Sequence, residues 1–153
     1  MNDILTLLRR ALLPAASLAV VLTQAPDVSA QPVKPIWASN TQQSDEHCDP
    51  QTKVLGGQWM NRGTFIDSAN GTYRLSMQDD GNLVLYRKGP NPQPLWATGT
   101  DGVAIRRVIM QTDGNLVLYD YADKPRWASN THGNPGSFLV LQCDGNVVIY
   151  APT

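Results

Sequence analysis

The sequence has no excess charge of either sign: twelve basic against thirteen acidic side chains leave its 153 residues at a formal net charge of −1. That excludes a broad field able to gather nucleic acid or an anionic membrane, and a neutral ligand is expected. Histidine is nearly absent, and neither His47 nor His132 lies in a nucleophile arrangement. Cysteine is as scarce, with Cys48 and Cys143 alone. The run Asp45-Glu46-His47-Cys48-Asp49 could suggest a metal, but no second His or Cys stands at ligand spacing nearby, so a polar loop with a structural bridge is the preferred reading and no metal or cofactor is expected. Long apolar runs are missing too. Ala11 to Leu22 spans about twelve residues and contains Pro14, whereas a membrane-spanning helix needs about 20, so no membrane insertion is expected.

That short run reads instead as part of an export signal. Arg9 and Arg10 precede it, and Val28-Ser29-Ala30 places small residues where a signal peptidase cuts. Residues 1–30 are therefore expected to be a signal peptide and 31–153 one secreted, extracellular domain with a single modest core. In an oxidising compartment Cys48 and Cys143, 95 residues apart, can form a disulfide.

What the sequence does have is a repeat. Gln78-Asp79-Asp80-Gly81-Asn82-Leu83-Val84-Leu85-Tyr86 returns 33 residues later as Gln111-Thr112-Asp113-Gly114-Asn115-Leu116-Val117-Leu118-Tyr119. After 31 more it returns as Gln142-Cys143-Asp144-Gly145-Asn146-Val147-Val148-Ile149-Tyr150. A second element, Trp-Ala-(Ser or Thr), begins at Trp37, Trp96 and Trp127. Three copies of each imply three structural units. Apolar and polar residues alternate and no helical period competes after residue 30, so the units are β.

Each Asp-Gly pair marks a hairpin, and the register follows from the faces it creates. A two-residue loop at Asp80-Gly81 would set polar Gln78 opposite apolar Leu83. A three-residue loop, with Gly81 left-handed, pairs Gln78 with Asn82, Met77 with Leu83, Ser76 with Val84 and Leu75 with Leu85. One face is then wholly apolar: Leu75, Met77, Leu83 and Leu85 in the first unit. Its counterparts are Val108, Met110, Leu116 and Leu118 in the second, and Leu139, Leu141, Val147 and Ile149 in the third. Three such faces bury one another around a pseudo-threefold axis filled by the Trp rings, giving an all-β, three-sided prism of antiparallel sheets. No Trp strand follows the third hairpin, so Ile36 to Thr41 is expected to complete that sheet, from the same chain or by strand exchange in a homodimer. A Cys48–Cys143 bridge would fasten it there. Gln42 to Lys53 has no repeat partner.

The opposite face carries Gln, Asn, Val and Tyr with the loop Asp between. Folding back of the hairpin gathers these into one patch offering a carboxylate acceptor, two amides, a phenol and a small apolar surface. That set suits a neutral polyhydroxylated ring, with the charged Asp contributing most. Turn capping alone accounts for Asp-Gly, but not for Gln before every loop and Tyr at a fixed distance after it.

The thrice-repeated Gln-x-Asp-x-Asn-x-Val-x-Tyr, with Trp-Ala-Ser-Asn-Thr elements, resembles the bulb-type (monocot) mannose-binding lectins over residues 36 to 150. The resemblance implies a β-prism II fold and calcium-independent binding of terminal α-mannose, hence mannose-containing glycans as partners. It implies that Asp and Asn contact the axial 2-hydroxyl, Gln the 3-hydroxyl and Tyr the 4-hydroxyl, while Val packs on the ring. The three sites would be Gln78, Asp80, Asn82, Val84 and Tyr86; Gln111, Asp113, Asn115, Val117 and Tyr119; and Gln142, Asp144, Asn146, Val148 and Tyr150. The order of the Trp elements is circularly shifted relative to that family. A lectin-type toxin or bacteriocin, or a protein-binding module on the same fold, are the alternatives. An enzyme is not expected, because the repeated carboxylates fall in separate units rather than as a facing pair.

Overall fold

A computed structural model of the chain describes residues 32–44 and 46–153; the export-signal reading of residues 1–30 lies outside them. Each Asp-Gly segment forms the three-residue turn expected of it. Strands β5 (Tyr73–Met77) and β6 (Leu83–Arg87) pair with Met77 opposite Leu83, Ser76 opposite Val84 and Leu75 opposite Leu85. In β8 (Ile105–Met110) and β9 (Leu116–Asp120), Met110 faces Leu116 and Val108 faces Leu118. In β11 (Phe138–Leu141) and β12 (Val147–Pro152), Leu141 faces Val147 and Leu139 faces Ile149. All twelve apolar residues of this register are 0–3% exposed, so they are the core.

The turn demands its glycine twice over. Gly81 has φ 94°, and a Cβ there would lie on the Val103 carbonyl oxygen of the following loop. Left-handed strain and overpacking add, so Gly81→Ala is expected to cost about 3 kcal/mol in urea unfolding.

The Trp elements each join their own hairpin: β7 (Gln93–Ala97) pairs with β6, β10 (Pro125–Ala128) with β9, and β1 (Val33–Ala38) with β12. The register slips between Pro35 and Trp37, between Pro125 and Trp127, and between the partners of Pro94 and Trp96. The sequence cause is a shared Pro-x-Trp: the proline supplies no ladder donor, and the extra residue bends the strand. The three indoles meet edge to face, with centroids 5.4, 6.1 and 5.8 Å apart. Pairs of this kind contribute roughly 0.5–1.5 kcal/mol beyond the area they bury.

Residues 52–67 add what the repeat did not reveal. This segment passes round the prism and gives one short edge strand to each sheet: β2 (Thr52–Val54) to β11, β3 (Trp59–Asn61) to β8, and β4 (Thr64–Asp67) to β5. Val54 and Met60 turn inward and are 8% exposed, closing the base of the core. The sheets thus have four strands each, ordered β4-β5-β6-β7, β3-β8-β9-β10 and β2-β11-β12-β1, in a β-prism II arrangement with no helix among the described residues.

β1 of the same chain pairs with β12 and completes the third sheet. Cys48 and Cys143 are disulfide-bonded, with Cα atoms 5.9 Å apart. The Gln43 N–H donates to the Asp144 carbonyl at 2.7 Å, so the segment after β1 lies along the third turn.

Candidate functional site

On the outward face of each hairpin the same four polar side chains are held by the same bonds. The loop carboxylate turns back on its own strand: Asp80, Asp113 and Asp144 accept through Oδ1 from the backbone N–H of Asn82, Asn115 and Asn146 at 2.8, 3.0 and 2.9 Å. One carboxylate oxygen is used in the turn; Oδ2 is left.

The asparagine is fixed from the neighbouring strand. Asn82 Oδ1 accepts from Thr98 Oγ1 at 3.0 Å and the Thr100 N–H at 3.2 Å. Asn115 is bound the same way by Ser129 and Thr131 at 3.1 and 3.2 Å, and Asn146 by Ser39 and Thr41 at 2.9 and 3.3 Å. With its carbonyl engaged, each amide has a settled orientation and presents Nδ2 with two donors. The second hydroxyl of each element donates to the turn glycine's carbonyl, Thr100 to Gly81, Thr131 to Gly114 and Thr41 to Gly145. These Ser and Thr residues are what sequence reasoning missed. Their signal in the sequence is the Ser/Thr-x-Thr that follows each Trp-Ala.

The glutamine and tyrosine complete the patch. Gln78, Gln111 and Gln142 donate through Nε2 to the hydroxyls of Tyr86, Tyr119 and Tyr150 at 2.7, 3.0 and 3.0 Å. Gln78 lies opposite Asn82 and Tyr86 opposite Arg74, so the two side chains reach towards each other along the strands, over the Val84–Ser76 pair. Val84, Val117 and Val148 are accordingly 3, 2 and 3% exposed. They form the floor of the patch. What faces outward is one carboxylate oxygen, an amide NH2, a glutamine carbonyl with one N–H, and a phenol proton.

The surroundings differ between units. Asp80 and Asp113 are exposed, whereas Asp144 is half-buried beside the disulfide. In the first unit Asp67 binds Arg74 through both oxygens at 2.7 and 2.9 Å and Lys88 at 2.9 Å. The Arg74 hydrogen bonds, opposed by partial burial and helped by Lys88, hold the Asp67 carboxyl down at about 2. A lowered carboxyl pKa favours the fold in full above the ordinary carboxylate value of about 3.9, and that contribution declines as pH falls below it and is lost by about 2. Asn70, in an Asn-Gly-Thr sequence, donates to the Cys143 carbonyl at 3.0 Å and ties this unit to the third turn.

Among solved structures the chain is similar to the Polygonatum cyrtonema lectin complexed with monomannoside, with 37% identity, a TM-score of 0.59, and 66% of this chain and 90% of that chain covered. It is similar to the mannose-specific agglutinin of snowdrop (Galanthus nivalis) bulbs complexed with methyl-α-D-mannoside, with 43% identity, a TM-score of 0.59 and the same 66% and 90% coverage. Among curated proteins, a G-type lectin S-receptor-like serine/threonine-protein kinase of rice (Oryza sativa) is 39% identical over 70 residues, 43% of this chain. That match spans only 9% of the rice protein's length. No family model matches the chain.

Proposed function

The chain belongs to the bulb-type monocot mannose-binding lectin family, and on that premise we propose that it is a calcium-independent lectin taking terminal α-mannose at three sites. The observation that carries this reading is the set of unspent hydrogen-bonding groups, identical in all three units and fixed by identical internal bonds. In it, Asp and Asn meet the axial 2-hydroxyl, Gln the 3-hydroxyl and Tyr the 4-hydroxyl, above the valine floor. Groups already oriented lose little freedom on binding, which favours a shallow site. Such a site alone would bind near millimolar, about 4 kcal/mol, and three of them, one per sheet, gain by avidity on a dense glycan surface. Asp80, Asp113 and Asp144 stand in the hairpin turns of different sheets, and the reading contains no catalytic step.

Export belongs to the same proposal, supported by a disulfide that an oxidising compartment would form and preserve. The test is to recover the chain from the medium of an exporting host, read its N-terminus, and apply it to a glycan array in chelator. The expected outcome is a chain starting at Gln31 that lights mannose-terminated glycans. A folded chain with no glycan signal would overturn the lectin reading in favour of a protein-binding module, and signals appearing only with added calcium would overturn calcium independence.

A further inference from the structure

We propose that the first of the three sites continues into a cationic subsite that takes an anionic group, a phosphate ester or uronate carboxylate, on the bound sugar or on the residue next to it. The proposal rests on the carbohydrate-binding reading above and concerns what lies beyond Tyr86. There an open groove of about 470 Å³ is lined by Arg74, Ser76, Tyr86, Lys88, Gly89 and Pro92. Tyr86 belongs to both, its hydroxyl accepting from Gln78 while it walls the groove, so site and groove are contiguous. The volume falls within the roughly 300–1,000 Å³ usual for small-molecule sites and gives room for a substituent or a second sugar.

The groove's charge comes from two cations sharing one carboxylate. Arg74 stands cross-strand from Tyr86, with Nε and Nη2 bound to Asp67. Its guanidinium lies 3.4 Å from the centroid of the Phe65 ring. Stacked on one side and forked into a carboxylate in its own plane, it is fixed before any ligand arrives, with the Nη1 donors uncommitted to Asp67. Lys88 gives Asp67 one of its three N–H groups at 2.9 Å. Asp67 stays ionised at neutral pH, which leaves the trio at net +1. Arg87 adds a further cation in the adjoining hollow shared with Lys88 and Gly89. Arg and Lys donors have no acceptor capacity, and they bind an anionic oxygen about twice as strongly as a neutral one.

The other two units do not repeat this arrangement. Opposite Tyr119 stands Arg107, whose guanidinium goes to Asp123 at 3.2 Å, and Tyr121 occupies the Lys88 position. Opposite Tyr150 stands Phe138, stacked on it at 6.1 Å, with Pro152 in the Lys88 position. A cation two residues beyond the site tyrosine is thus peculiar to the first unit.

The test uses the full chain with Asp113→Asn and Asp144→Asn, which isolates the first site. Methyl α-mannoside, mannose 6-phosphate and an α-mannosyl-glucuronate disaccharide are titrated by calorimetry. At least one anionic ligand is expected to bind about fivefold tighter than methyl α-mannoside at low salt, the scale an exposed ion pair supports. The advantage should vanish by about 0.5 M salt and in Lys88→Gln, with methyl α-mannoside unaffected by either. A gain for the phosphate alone puts the anion on the bound ring, and a gain for the uronate alone puts it on the neighbour. Anionic ligands no tighter than the neutral one, or an advantage that survives Lys88→Gln, would overturn the subsite while sparing the lectin. Failure of all three ligands on this variant would overturn sugar binding at the first site and the subsite with it, and failure of methyl α-mannoside on the unmutated chain as well would overturn the carbohydrate reading.

Discussion

Replacing Asp80, Asp113 and Asp144 together by alanine is expected to abolish binding to mannose-terminated surfaces while the prism stays folded. Each carboxylate is the only formal charge in its outward set, and hydrogen bonds to charged groups contribute roughly 1.5–3 kcal/mol, or about 10- to 150-fold in affinity. A site that starts near millimolar falls below detection after such a loss, and avidity has nothing left to multiply. The fold should tolerate the change because each Asp spends one oxygen on a single N–H at an exposed or half-buried turn, a bond of about 1 kcal/mol. Triple Asp→Asn keeps an Oδ1 acceptor for that N–H and removes only the charge. It should melt with the parent and still lose most binding. Glycan array and calorimetry read affinity, and circular dichroism melting reads the fold. An undiminished mannose signal from the triple alanine variant would remove these carboxylates from the site.

The hairpins were legible in the sequence because a period-2 pattern admits only one register that keeps Gln78 and Asn82 off the core, and three copies gave the same answer. The closing strand was legible for a related reason, since a Trp-Ala element without a hairpin before it has to serve the hairpin that lacks one after it; its bounds were not, for β1 runs Val33–Ala38 rather than Ile36 to Thr41. The edge strands were not legible. Three- and four-residue pieces at Thr52–Val54, Trp59–Asn61 and Thr64–Asp67 are too short for alternation to register, and each serves a different sheet, so nothing local marks them as equivalent. The site was half legible. Gln, Asp, Asn and Tyr stood out by their fixed spacing. The hydroxyls and N–H groups that orient the asparagines lie 14 to 18 residues away in two units and more than 100 away in the third, beyond any spacing argument.

That long separation in the third unit makes its disulfide the covalent joint on which the most depends. Cys48→Ser with Cys143→Ser is expected to cost about 4 to 5 kcal/mol on the chain-entropy account, since the bridge closes a loop of 95 residues. Against a total of about 5–15 kcal/mol for a domain, this is a large share, and a fall in Tm of about 15 °C is the corresponding reading in calorimetry. The bridge sits where the chain's first strand meets its last hairpin. Without it, β1 is held by its ladder to β12 and by the contacts of Trp37 with the other two indoles. Ser39 and Thr41 follow β1, so fraying there frees the Asn146 amide first, whereas Asn82 and Asn115 are held by strands that adjoin their own hairpins. Binding at the third site, isolated by Asp80→Asn and Asp113→Asn, should therefore weaken at temperatures where the first two sites still hold their ligand. A double cysteine variant that melts within about 3 °C of the parent would show instead that strand pairing and the axial indoles suffice to close the prism.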